Sequence, residues 1–142
     1  MVFVANNRTQ KGLTVSWEKE IKMNKKKILI VDDEKDTLIV LEKQLTTAGY
    51  TIVTANSGTQ ALLLAKSEQP DLVVLDVQMP DMDGGEIAFR LKEDSMTTKI
   101  PVVYLTCLLS KNEDYRYGEK IMLAKMNDTK ELITIINKIL SN

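Results

Sequence analysis

An α/β fold, a doubly wound five-stranded parallel sheet with helices on both faces, is predicted by three observations. Short runs of wholly apolar residues recur along the chain. Between them stand segments whose apolar residues are spaced three and four apart. Capping and turn residues separate the two kinds of segment. Wholly apolar runs of four or five residues are strands buried on both faces, as in parallel sheets. Strands alternating with amphipathic helices make right-handed crossover units. The 142 residues suffice for one such domain and are too few for two.

The units follow in order after residue 26. Lys27-Ile28-Leu29-Ile30-Val31 is the first strand. Residues 35–48 form a helix through Leu38, Leu41, Leu45 and Ala48, with Gly49 at its stop position. Residues 50–55 are a short strand. Ser57 and Gln60 make a capping-box start for a helix to about residue 68, carrying Ala61, Leu62, Leu64 and Ala65. Pro70 ends that unit, and residues 71–75 are the central strand. Gly84-Gly85 opens a helix to about residue 94 with Ile87, Ala88 and Leu91 inward. Residues 100–105 are a strand whose Pro101 sits where a missing N–H is tolerated. Ser110 and Glu113 suggest a short capped helix, and residues 120–124 are the last strand. Asp128 and Glu131 cap a final helix with an apolar stripe of Leu132, Ile135, Ile136, Ile139 and Leu140. Residues 1–25 lack such periodicity and are read as an N-terminal extension, disordered or loosely attached. The alternative is a short helix around residues 17–23 docked through Trp17 and Ile21. Met23, just ahead of the first strand, has the look of a natural start.

Composition narrows the function. Nineteen basic against twenty acidic residues leave a net charge of −1, which gives no support for direct nucleic-acid binding. The single cysteine, Cys107, precludes an internal disulfide and suits a reducing compartment. No apolar stretch approaches the roughly 20 residues of a membrane helix, and no secretory signal core is present. A cytoplasmic protein without membrane insertion is expected. There is no histidine at all, so general acid–base or phosphoryl chemistry on the chain must use carboxylates, with any donor supplied from outside.

Carboxylates are what the strand ends carry. Asp32 and Asp33 close the first strand, Asp76 closes the run Leu72-Val73-Val74-Leu75, and Lys125 follows Ile121-Met122-Leu123-Ala124. The carboxyl ends of parallel strands share one edge, where ligands bind. Three carboxylates there repel one another unless a cation joins them, and an all-oxygen ligand set suits a hard divalent ion, Mg²⁺ above all. A nearby lysine adds a fixed positive charge suited to a phosphoryl group. Each residue also has a plainer reading. Asp32 and Asp33 could be a helix-start acidic cluster favoured by the macrodipole, which Glu34 and Asp36 extend. Asp76 could be an ordinary solvated turn aspartate. Thr106, just past the strand of residues 100–105, could be a strand residue chosen for β-branching, and Lys125 a solvated strand end.

Residues 26–141 resemble the receiver domain of two-component response regulators, the CheY-like family. The matching pieces are Ile30-Val31-Asp32-Asp33-Glu34, then Asp76 to Gly84 with the pattern D-x-x-M-P-x-x-x-G, then Leu105-Thr106, then Lys125. The acidic pair alone is a weak signal, whereas the nine-residue run is specific. The resemblance implies the flavodoxin-like strand order 2-1-3-4-5 and a receiver domain over residues 26–142. It implies that Asp76 is the phosphoacceptor and that Thr106 and Lys125 read the phosphoryl group. It also implies Mg²⁺ held directly by Asp33 and Asp76, through water by Asp32, and by the backbone carbonyl of Gln78. The expected partners are a sensor histidine kinase or histidine phosphotransfer protein and an unknown downstream protein. Pro80 and Gly84 are read as turn-makers, the glycine letting backbone approach the site.

Three departures from the family pattern cluster late in the chain. Met126 stands where the family usually has a proline after the lysine; a non-proline cis bond costs about 3 kcal/mol, so a trans bond is expected. Met122 stands where an aromatic is usual. The interval from Thr106 to Gly118 is shorter than usual, so the fourth helix, between the fourth and fifth strands, is expected to be shortened. The expectation is a stand-alone receiver that is phosphorylated on Asp76 but signals through an atypical surface or a weaker switch, and is not a turnover enzyme. Apolar Leu108 hints at slower hydrolysis of the phosphoaspartate. Among the rivals, an aspartate-based phosphohydrolase lacks its second acid at Gln78, and a nucleotide or flavin module lacks a glycine-rich loop after the first strand. The runner-up is a pseudo-receiver that binds proteins without phosphorylation.

Overall fold

The computed structural model describes residues 25–77, 79–106, 121–125 and 129–141. Its elements in chain order are β1 (Lys27–Val31), α1 (Lys35–Thr47), β2 (Thr51–Ala55), α2 (Gly58–Glu68), β3 (Leu72–Asp76), α3 (Gly84–Glu93), β4 (Val102–Thr106), β5 (Ile121–Lys125) and α4 (Thr129–Leu140). The five strands form one parallel sheet in the order β2-β1-β3-β4-β5. The expected strand order is therefore observed, with strand ends displaced by a residue or two. The expected short fourth helix, the peptide bond before Met126 and the N-terminal extension lie outside the described residues, apart from Lys25 at the extension's end.

Alternation along the strands explains the two cores. Leu29, Val31, Val73, Leu75, Val102 and Tyr104 face one side, where Ala61 and Ala65 of α2 and Ile87, Ala88 and Leu91 of α3 cover them. Ile28, Ile30, Leu72, Val74, Val103 and Leu105 face the other, covered by Leu38, Leu41 and Leu45 of α1 and Leu132 and Ile136 of α4. β1 and β3 need apolar residues at successive positions because both of their faces are buried. β2 is an edge strand, and it is accordingly less buried and more polar.

Helix ends follow local chemistry, with two differences from expectation. Gly49 takes φ +106°, the left-handed conformation that stops α1. Ala48 is the C-cap and is exposed rather than inward. Ser57 caps α2 by accepting the Gln60 N–H at 3.1 Å. The reciprocal bond of a capping box is not made to Ser57; the Gln60 side chain accepts the N–H of Asn56 at 2.8 Å instead. That places its hold one residue earlier, on the turn leaving β2. At the opposite rim of the sheet, Lys27 and Asp71 clasp β1 to β3. The Asp71 N–H donates to the Lys27 carbonyl at 2.7 Å, and the Lys27 N–H to the Asp71 carboxylate at 2.8 Å.

Candidate functional site

The carboxyl edge of the sheet gathers the acidic residues. β1 delivers Asp32 and Asp33 immediately past Val31, and β3 ends on Asp76. Because β1 and β3 are neighbours, with Val31 paired to Leu75, these acids come together. One carboxylate oxygen from each of Asp32, Asp33 and Asp76 lies within 4.8 Å of the other two. Asp33 is exposed, Asp76 half-buried and Asp32 only 2% exposed.

Asp32 is the tense member. Its backbone N–H donates to the Ala55 carbonyl at 3.1 Å, tying it to the end of β2. Its Oδ1 accepts the Glu34 N–H at 2.9 Å, a turn that leads into α1. Its Oδ2 is buried with no hydrogen-bond partner. Burial pushes the Asp32 carboxyl up from 3.8 to about 6; the Glu34 N–H opposes this, while the negative charges of Asp76, Asp33 and Glu34 add to it. A buried oxygen without a donor, on a carboxylate gathered with two others, fits a hard cation: the donor set is all oxygen, as Mg²⁺ prefers.

β4 ends at Thr106 and β5 at Lys125, and these two residues are paired in the sheet register. Asp76 pairs with Leu105, one residue before Thr106. The backbone thus brings Thr106 and Lys125 to the same edge as Asp76. Gln78, expected to offer a carbonyl to the metal, lies outside the described residues.

The loop from β3 to α3 is held from beneath. The Gly84 N–H donates to the Val77 carbonyl at 3.0 Å, and the buried Tyr104 hydroxyl donates to the Gly84 carbonyl at 3.3 Å. Asp83 caps α3 by accepting the Glu86 N–H at 2.8 Å. The close backbone approach expected at Gly84 is therefore present. Two supporting residues escaped the sequence reading. Tyr104 read only as a strand residue. Asp81 was assigned no role of its own, and its position inside the D-x-x-M-P-x-x-x-G run was the only available signal.

Comparison with known proteins agrees with this geometry. A family model described as "Response regulator receiver domain" matches residues 28–137. A probable transcriptional regulator, ycf27, of Pyropia yezoensis is 45% identical over 84 residues, covering 59% of this chain and 33% of that protein. The alkaline phosphatase synthesis transcriptional regulatory protein PhoP of Bacillus subtilis is 40% identical over 90 residues, covering 63% and 35%. The chain thus spans about a third of the length of these curated relatives. Among solved structures, a putative response regulator from Chloroflexus aurantiacus superposes with a TM-score of 0.74 at 27% identity, covering 84% of this chain and all of that one. The N-terminal domain of a response regulator receiver protein from Methanoculleus marisnigri is 36% identical with a TM-score of 0.62, covering 82% and 97%. Family match, strand order and acidic edge agree, and the chain belongs to the response regulator receiver domain family of two-component signalling.

Proposed function

We propose that this receiver domain accepts a phosphoryl group on Asp76 in a Mg²⁺-dependent reaction and changes conformation to signal. The donor would be a phosphohistidine of a sensor histidine kinase or a histidine phosphotransfer protein. Receiver domains are signalling domains, not enzymes that turn over an external substrate, and accept phosphoryl groups from histidine kinases. The observation that carries the reading is the convergence of three carboxylates within 4.8 Å, one with a buried unpartnered oxygen.

The step is a displacement at phosphorus. A carboxylate oxygen of Asp76 forms the new O–P bond, the N–P bond to the donor imidazole breaks, and that nitrogen keeps the electron pair and takes up a proton. Asp32, Asp33 and Asp76, with the Gln78 carbonyl, would hold the metal. Bound Mg²⁺ would supply charge neutralisation between the anionic nucleophile and the anionic phosphoryl group. Thr106 would donate its hydroxyl to one phosphoryl oxygen, and Lys125 would pair with another as a point charge. The chain's own contribution is positioning: β1 and β3 present the acids on a rigid edge, so little reorganisation is needed at the moment of transfer.

Incubation of the protein with Mg²⁺ and acetyl phosphate tests this. A gain of about 80 daltons that disappears in Asp76→Asn is the expected result. Met122 and Met126, where the family usually has an aromatic and a proline, favour a second reading, a pseudo-receiver that binds protein partners without phosphorylation. Absence of the mass gain in the wild type would select that reading. Whether the receiver acts alone or governs a linked output module is a separate question, because the aligned region makes up only about a third of each matched relative. The mass of the protein isolated from its own cells answers it.

A further inference from the structure

The loop that leaves β3 carries a carboxylate that the phosphoryl chemistry does not use. Asp81 Oδ2 accepts the backbone N–H of Gly58 at 2.9 Å and that of Thr59 at 3.4 Å, and its Oδ1 lies 3.2 Å from the Gly58 nitrogen. These are the first two N–H groups of α2, which no carbonyl within the helix can reach. The third, of Gln60, goes to Ser57 Oγ. The Asp81 charge also faces the positive end of the helix dipole.

Packing repeats the message. A Cβ on Gly58 would lie 2.7 Å from Met82 Cβ and 3.2 Å from its Sδ, so the loop rests on the first turn of α2 with no room for a methyl group. On its other side the entrance to α2 is joined to the acidic end of β1, through the Asp32 N–H on the Ala55 carbonyl. The Asn56 N–H on the Gln60 side chain closes that turn. The first turn of α2 is therefore attached to the Asp32 strand end on one side and to the loop behind Asp76 on the other.

We infer that Asp81 is a positioning residue whose carboxylate locks the β3–α3 loop to the first turn of α2, and thereby sets the spacing between Asp76 and the Asp32–Asp33 pair. The inference deepens the proposed function and rests on it for metal affinity alone; the lock itself exists without metal.

The test uses the full chain, wild type against Asp81→Ala, Asp81→Asn and Gly58→Ala. Amide hydrogen exchange is followed without metal, and Mg²⁺ binding by titration calorimetry. Loss of the lock in Asp81→Ala is expected to speed exchange about tenfold at Gly58 and Thr59, and also at Gly84 across the loop. Mg²⁺ affinity is expected to fall about tenfold, as when an outer-shell partner is removed. Asp81→Asn keeps one acceptor oxygen and the side-chain size, and is expected to fall between. Gly58→Ala should act in the same direction by lifting Met82. A merely local helix cap would move the exchange at Gly58 and Thr59 and nothing else. Exchange changes confined to those two residues, or Mg²⁺ affinity in Asp81→Ala within about twofold of wild type, overturn the inference. A wild type that binds no Mg²⁺ overturns the proposed function instead, and the metal-free exchange at Gly84 then decides the lock.

Discussion

Gly84 abuts the carbonyl oxygen of Asp76 so closely that a Cβ there would lie 2.8 Å from it, and 3.1 Å from Val77 Cα. The start of α3 is thus pressed directly on the backbone at the end of β3. Glycine is required by this approach rather than by an unusual φ. Gly84→Ala is expected to destabilise the domain by about 1–3 kcal/mol, the usual cost of overpacking. Urea unfolding measures it. The backbone neighbours cannot yield as a flexible side chain would, so a neutral result would mean that the strand end itself can shift.

Asp76→Asn should abolish phosphorylation by acetyl phosphate while leaving the far-ultraviolet circular dichroism spectrum unchanged. The side chain is half-buried at a sheet edge rather than in either core, so its identity matters to chemistry more than to folding. Intact-protein mass spectrometry gives the readout. Retention of the mass gain in the variant would move the acceptor elsewhere.

Asp32 makes stability depend on pH. Its carboxyl holds a proton up to about 6 in the folded protein, against 3.8 ordinarily. The folded state therefore binds the proton more tightly than the unfolded state. Its stabilising contribution is full below about 3.8, is lost as pH rises to about 6, and stays lost above that. Thermal unfolding without divalent ions should show this decline, over and above the titration of other groups, and Asp32→Asn should flatten it. Mg²⁺ requires the ionised carboxylate, so its affinity should climb with pH up to about 6 and then level off. Addition of Mg²⁺ above that pH should raise the melting temperature.

Leu45 carries the α1 side of the core and is fully buried. Leu45→Ala is expected to cost about 2–5 kcal/mol, from lost transfer energy and the cavity left behind. Denaturant titration checks the magnitude. Since Leu45 lies on the last turns of α1 and not at the carboxyl edge, the folded fraction should still gain a phosphoryl group from acetyl phosphate.

Much of this was legible in the residues because burial leaves a simple trace. β1 and β3 are covered on both faces, so Ile28 to Val31 and Leu72 to Leu75 are apolar without interruption. Their acidic endings then stood out as exceptions to an apolar rule. β2 carried a weaker trace, since an edge strand tolerates Thr51 and Thr54. The Asp81 contact was invisible because it joins backbone amides 22 and 23 residues away, and amides carry no sequence signature. Gln69 is similar. It adopts φ +47° at the end of α2, where glycine is usual, and its side-chain amide donates to the carbonyls of Ala65, Lys66 and Met96. Those bonds accompany a conformation that side-chain type alone would argue against.

The strand order also separates durability from signalling. From β1 the chain departs onto one face through α1, and from β3 it departs onto the other face through α3. Two neighbouring strands thus send their connections apart, and the notch left between them belongs to the wiring of the chain rather than to any side chain that lines it. Selection can therefore retune, or even neutralise, the acids in the notch while both apolar layers stay untouched. Repulsion among those acids predicts that uncharged versions are the sturdier molecules in the absence of a cation, so the notch holds its charge against the pull of thermodynamic comfort.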